Sequence, residues 1–275
     1  MRLVLLDLDK TLIDERYRLT IDSARVVEVV TTCANAGISV GFCSDSPLLT
    51  LMQWAQQLHI GGPIVFEQGA GVYQSAAQTS TIVLPEATTW FSELRKRFVT
   101  KMMDRLPEWG VYVGDNTDFI RSGQRFPGAC RFVALVSGIR QQSFGVHVRR
   151  VQGTDGELTI DTEALHMIRG EGEAIARQLS SKTLDIDENP EYGILIIHSM
   201  RTEKRNGVRF LIEHEHPELV AMIGDSPRDY MDDARIIQYA VGNARAEYKE
   251  RCVYVADTTY TAGVLEILNR LLQEH

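Results

Sequence analysis

The chain opens on an apolar run, Leu3 to Leu6, that ends in two aspartates one residue apart, Asp7 and Asp9, before returning to Leu12 and Ile13. A short, unpatterned apolar run of this kind suits a strand buried on both faces of a parallel sheet. "TIDSARVVEVVTTCANAG" follows with helical periodicity, a cap at Asp22 or Ser23 and a stop at Gly37. "ISVGFCSDS" reads as a second strand. "SPLLTLMQWAQQLHIGG" reads as a helix opened by a Ser-Pro cap pair. "GPIVFEQGAGVY" supplies a third strand and a turn. Strands alternating with helices imply a parallel sheet covered by helices.

That rhythm breaks near residue 80. Helices are expected at "TTWFSELRKRFVTKMMDRL" and "DTEALHMIRGEGEAIARQL", and strands at "CRFVALVS", "FGVHVRRV" and "YGILIIHS". The rhythm resumes near residue 200, with helices at "NGVRFLIEHEH", "PRDYMDDARII" and "GVLEILNRLLQEH" and strands at "LVAMIGDS" and "YAVGN". The expected fold is therefore α/β: a Rossmann-like parallel-sheet core over residues 1–80 and 195–275, with an α+β unit inserted over residues 81–194.

With 275 residues, 44% of them hydrophobic, the chain can bury a sizeable core. A net charge of −8 argues against general binding of nucleic acid, which rests on phosphate neutralisation by Lys and Arg. No apolar stretch is long enough to span a bilayer, and no leader pattern is evident. Cys33, Cys43, Cys130 and Cys252 are scattered, without metal-ligand spacing. Reduced thiols in a cytoplasmic protein are the expectation.

Three expected strand ends are polar: "LLDLDKT", "GFCSDS" and "MIGDSPRD". Ligands of open α/β sheets sit beyond the carboxyl ends of strands, so Asp7, Asp9, Ser44 and Asp225 are expected to converge. Any one of them alone fits a turn or cap. Together they suit phosphoryl transfer. Clustered carboxylates call for a hard cation such as Mg²⁺, which takes oxygen ligands. With Asp7 and Asp225 on the metal, one Asp7 oxygen is left to attack phosphorus. Asp9 can then protonate the departing alkoxide and later activate water.

"DLDKT" resembles the D-x-D-x-T motif of the haloacid dehalogenase-like phosphohydrolases. "GFCSDS" resembles their second motif, and "GDSPRD" the fourth. The long insertion between the second and third motifs, "PIVFEQGAGVY" and "AVGNA" resemble the Cof-type subgroup with a large α/β cap, with Gln68 where Asn is usual. The resemblance implies a nucleophile at Asp7 and a general acid/base at Asp9, a pairing typical of the family's phosphatases. It also implies loop support from Thr11 and a hydrogen bond from Ser44 to the phosphoryl group. Mg²⁺ would be held by Asp7, the Asp9 carbonyl and Asp225, with Asp229 orienting the metal site. The cap would close over the core, exclude water and choose the leaving group.

Two positions depart from the family pattern. Lys10 stands where Gly is frequent, as a solvated charge or one leaning over the site. In "TEKRNGVRF", Asn206 holds the slot usual for the third-motif lysine. Lys204 is expected to fill that role, with Arg205 as its rival. The implied partner is a small phosphorylated metabolite, with neither nucleic acid nor membrane, and the sequence sets no oligomeric state. Phosphotransfer to a sugar and a catalytically silent binding protein are the alternatives. A signalling receiver domain fits poorly, because it lacks a large insertion and carries its acceptor Asp on a later strand.

Other motifs read as structural. "EHEH" (Glu213 to His216) is expected as a solvated helix end, His147 as a strand residue, and "DNTD" (Asp115 to Asp118) as a turn. "WFSELRKRF" is expected as a packed helix face, and "GEGEA" lacks the lysine and strand of a phosphate loop. Arg149 and Arg150 read as exposed strand charges, or else as contacts to a second anionic group on the substrate.

Overall fold

The N-terminal run forms β1 (Arg2–Leu6), and Leu3, Val4, Leu5 and Leu6 are all buried. The computed structural model describes residues 2–84, 88–115, 130–152, 157–179 and 184–274. Asp22 caps α1 (Ser23–Asn35) by accepting a hydrogen bond from the Ala24 amide, and the helix buries Val26, Val29, Val30 and Cys33. Fully burying one such Val or Leu is worth about 1.5–3 kcal/mol. Gly37, at φ +76°, turns the chain into β2 (Ile38–Cys43). Then come α2 (Leu48–Leu58), β3 (Ile64–Phe66), β4 (Gly71–Gln74) and β5 (Thr79–Ile82). The expected Ser-Pro cap of α2 is not formed: the helix is flanked by Pro47, and no side chain caps it.

The second stretch holds α3 (Thr88–Trp109), β6 (Val111–Asp115), β7 (Phe132–Val136), β8 (Phe144–Gln152), β9 (Glu157–Thr159), α4 (Thr162–Leu179), β10 (Leu184–Asn189) and β11 (Ile194–Ser199). Its sheet runs β10-β11-β8-β7-β6, with β9 beside β8. Only β6 and β7 pair in parallel among these strands. Strand side chains alternate between faces. Phe144, Val146, Val148, Leu195 and Ile197 pack with Phe91, Phe98, Leu165 and Ile168 of the helices. "GEGEA" lies within α4. Of "DNTD", Asp115 ends β6 and the remainder lies outside the described residues.

The last stretch comprises α5 (Lys204–Glu215), β12 (Leu219–Gly224), β13 (Ile236–Ala240), α6 (Ala246–Lys249), β14 (Tyr254–Val255) and α7 (Tyr260–Gln273). The eight-stranded sheet runs β14-β13-β12-β1-β2-β3-β4-β5, parallel up to β3 and antiparallel beyond it. The helix expected over "PRDYMDDARII" is corrected to a single turn, Pro227–Asp229, followed by irregular chain into β13. Asp229 and Asp233 spend their carboxylates on nearby backbone amides, which competes with helix. The chain divides into two compact units, Met1–Val83 with Thr202–His275, and Leu84–Arg201. The expected end of the insertion at residue 194 is likewise corrected, because β11 pairs with β10 and β8 and so belongs to the second unit. All four cysteines are free thiols. Among the described residues, no helix is long and apolar enough to cross a membrane.

Candidate active site

β1 lies between β12 and β2, with Leu6 opposite Ile223 and Phe42. The carboxyl ends of these three parallel strands therefore stand side by side where the strand order reverses, the usual ligand position of such sheets. Asp7 follows β1 directly, and its amide donates to the Ile223 carbonyl at 2.9 Å. Ser44 follows β2, and Asp225 follows β12. Asp7, Thr11, Ser44, Lys204, Asp225 and Asp229 are all buried.

Lys204 joins the group from the first turn of α5. Its Nζ donates to Asp7 Oδ1 at 2.6 Å and to Asp229 Oδ1 at 2.5 Å. A lysine at a helix N-terminus opposes the helix dipole, and these two carboxylates offset that cost. Arg205, its rival, is half exposed and pairs with Glu203. Two glycines let the helix come close. A Cβ on Gly69 would lie 2.2 Å from the Glu203 carbonyl oxygen, and one on Gly207 would lie 2.4 Å from Val65 Cγ1. Glu67, Gln68 and Gly69 all have left-handed φ, at 46°, 58° and 84°, a conformation that Gly and Asn adopt more readily than Gln.

Thr11 Oγ1 donates to Asp7 Oδ2 at 3.2 Å. Lys10 also adopts a left-handed φ of 60°, a conformation that Gly takes without steric cost. Asn243 Nδ2 donates to the Lys10 carbonyl at 2.7 Å, and Thr261 Oγ1 donates to that of Leu12 at 2.6 Å. Asn243 sits in "AVGNA", but nothing in the sequence assigned it this contact. Thr261 left no sequence signal. Ser44 donates its amide to Val65, and its hydroxyl accepts from the Ser46 amide at 3.1 Å. Ser46, expected from the sequence as a helix cap, donates instead through Oγ to Asp9 Oδ2 at 3.2 Å.

Asp229 Oδ2 accepts from the amides of Asp225 and Ser226, each at 3.0 Å, and from Ser226 Oγ at 3.2 Å. Gly224 makes room for it, since a Cβ there would sit 2.5 Å from Asp229 Cβ. Asp7, Asp225 and Asp229 offer carboxylate oxygens all within 4.8 Å of one another. Burial pushes the Asp7 carboxyl well above its usual range, against the pull of Lys204. Burial, reinforced by Asp229, pushes Asp225 up to about 7. Burial alone would lower Lys204, but Asp229 and Asp7 outweigh it and hold the ammonium charged. The Lys204 ammonium thus pairs directly with two of three buried carboxylates, while Lys204, Lys10 and Arg245 all pull the third, Asp225, downward. The surplus negative charge fits a hard divalent cation, for which Asp7, Asp225 and Asp229 supply carboxylate oxygens at coordinating spacing.

The remaining expectations fall in the second unit. Burial lowers His147 to about 3, helped by Arg149 and Arg140, so it is a neutral strand residue. Arg149 donates to the carbonyls of Val148 and Gly193 at 2.8 and 2.9 Å, and Arg150 pairs with Asp161. A second group with metal-like spacing, Asp185, Asp187 and His198, was not foreseen.

Residues 165–268 match the family model of haloacid dehalogenase-like hydrolases. No curated protein sequence matches the chain. Among solved structures, a haloacid dehalogenase-like hydrolase from Bacteroides thetaiotaomicron is similar in fold (TM-score 0.66, 17% identity, 98% of this chain and 99% of that one). So is a putative HAD/COF-like hydrolase from Plasmodium vivax (TM-score 0.62, 17% identity, 99% and 96%). A sugar phosphatase of HAD subclass IIB aligns over 98% of this chain and 99% of its own, with TM-score 0.57 and 14% identity. Residues 165–268 are thus similar in sequence to the haloacid dehalogenase-like hydrolases, and the fold of the whole chain is similar to that of structures bearing that name.

Proposed function

We propose that this chain is a Mg²⁺-dependent cytoplasmic phosphatase. It hydrolyses a small-molecule phosphate monoester, a sugar phosphate or small phosphorylated acid, through a phospho-aspartyl intermediate at Asp7. The observation that carries this reading is the Lys204 ammonium between Asp7 and Asp229, with Asp225 at coordinating spacing. Asp7, the Asp9 carbonyl and Asp225 would hold the metal, with Asp229 orienting them. When bound, Mg²⁺ neutralises charge on the phosphoryl oxygens.

In the first half-reaction an Asp7 oxygen attacks phosphorus. The P–O bond to the alcohol breaks, and Asp9 gives its proton to the departing oxygen. Lys204 and Ser44 neutralise and orient the phosphoryl group. In the second half-reaction Asp9 takes a proton from water, whose oxygen attacks phosphorus as the Asp7–phosphorus bond breaks. Asp7 and inorganic phosphate are released.

The test is phosphate release over a panel of phosphorylated metabolites, with Mg²⁺ and with EDTA, in ¹⁸O-labelled water. Hydrolysis puts the label in inorganic phosphate and is lost with EDTA. Asp7→Asn should lower turnover at least about 10⁴-fold, with an unchanged circular dichroism spectrum. Normal turnover by that variant, or label absent from phosphate, would overturn the reading.

A further inference from the structure

Ser46 has a hydroxyl that its sequence context assigns elsewhere. A Ser-Pro pair ahead of an apolar helix ordinarily caps it, yet α2 is flanked by Pro47 and has no side-chain cap. Ser46 Oγ is turned instead to Asp9 Oδ2, at 3.2 Å. The serine is fixed from two sides. Its amide donates to Ser44 Oγ at 3.1 Å, and its carbonyl accepts from the Glu67 amide at 3.1 Å. It is only 9% exposed. The backbone around Asp9 is pinned as well, because Asn243 holds the Lys10 carbonyl, Thr261 holds that of Leu12, and Asp9 bridges to Ile13. With the backbone pinned, the aim of the carboxylate is set by rotation of the Asp9 side chain about its own bonds. The hydroxyl of Ser46 restrains that rotation at the cost of a helix cap.

We propose that Ser46 is a positioning residue that aims the Asp9 carboxyl at the leaving-group oxygen of the substrate, an inference resting on the phosphatase reading above. Proton delivery counts in proportion to the basicity of the group that departs. A sugar or alkyl alkoxide cannot leave without a proton, whereas p-nitrophenolate is stable as the anion. Misaiming Asp9 therefore penalises alkyl esters selectively. A general loosening of the loop, which also carries Asp7, would slow both kinds of ester alike.

The experiment compares kcat/KM, with Mg²⁺, toward p-nitrophenyl phosphate and toward the alkyl monoester that the wild type turns over fastest. The proteins are wild type, Ser46→Ala, Ser46→Thr and Asp9→Asn. Ser46→Ala should lose about tenfold on the alkyl ester, the scale of one well-placed hydrogen bond, and less than about threefold on the nitrophenyl ester. Ser46→Thr, which keeps the hydroxyl, should restore the alkyl rate. Asp9→Asn should show the same selectivity on a larger scale. Equal losses on both esters, or no loss on either, in Ser46→Ala overturns the role of Ser46 while leaving the phosphatase reading intact. Wild type releasing phosphate from neither ester removes that reading and this inference with it. If Ser46→Ala does not fold, Ser46→Cys, a weaker donor, carries the same expectation.

Discussion

Each of the two units brings two or more carboxylates to within coordinating distance of other ligand atoms, but the two groups are built differently. In the first unit Asp7 follows one strand and Asp225 and Asp229 follow another far along the chain, all three are buried, and the Lys204 ammonium pairs with two of them. In the second, Asp185 and Asp187 lie on β10, and His198 on the adjoining β11 opposite Asp185. His198 Nε2 meets Asp187 at 3.0 Å, while Nδ1 meets the Ser199 carbonyl at 2.9 Å. Both ring nitrogens face acceptors, so both are satisfied when the ring carries two protons. Burial alone would lower this histidine, but Asp187 and the Ser199 carbonyl hold it above the ordinary value of 6.5. When protonated, His198 supplies its own countercharge to Asp187, and Asp185 is exposed to water. Ligand spacing alone does not mark a reactive site. Uncompensated buried charge at a strand-order reversal is the stronger sign.

The comparison breaks most sharply at Lys204. Lys204→Ala should lower phosphate release about 10²–10⁴-fold and destabilise the fold by about 3–5 kcal/mol, since it strands buried carboxylates. Arg205→Ala should change stability by less than about 1 kcal/mol, because an exposed ion pair contributes little. Steady-state kinetics and chemical denaturation read both. The opposite ranking would move the third motif to Arg205.

Mg²⁺ binding sharpens the comparison without any substrate. Calorimetric titration of the wild type should show one site, abolished by Asp225→Asn and unaffected by Asp187→Asn. Loss of the site in Asp187→Asn would transfer the metal to the second unit.

The smallest effect is expected at His198. Its raised value in the folded chain means that protonation stabilises this unit fully below about pH 6.5, and that the contribution fades as pH rises through the raised value. Thermal unfolding of wild type and His198→Gln should therefore differ most in mild acid and converge in mild alkali, with phosphate release unchanged. A difference that grows with pH would contradict the imidazolium assignment.

The same contrast explains what could be read from the sequence. Strand ends at Asp7, Ser44 and Asp225 were legible because largely apolar runs ended abruptly on polar residues, and chemistry sets which residues can stand there. Lys204 was expected only from its place two residues before Asn206, and its neighbour Arg205 competed on sequence alone. Ser46 was hidden because Ser-Pro before an apolar run has a stronger local meaning as a cap. β10 was missed because "LDIDEN" alternates polar and apolar residues over only six positions between a helix and another strand. The false helix at "PRDYMDDARII" has ordinary helical composition. Its aspartates took local amides instead, a choice that composition does not show.

Gly69 and Glu203 touch across the point where the first unit is interrupted, one just before the chain departs and the other just after it returns. The close approach that seats the start of α5 is thus made within the first unit, between the segment before the interruption and the segment after it, while Asp7 and Asp229 hold the Lys204 ammonium. Evolution or a designer could exchange everything from residue 84 to residue 201 for a foreign segment with similarly spaced ends, and the lysine would keep its post.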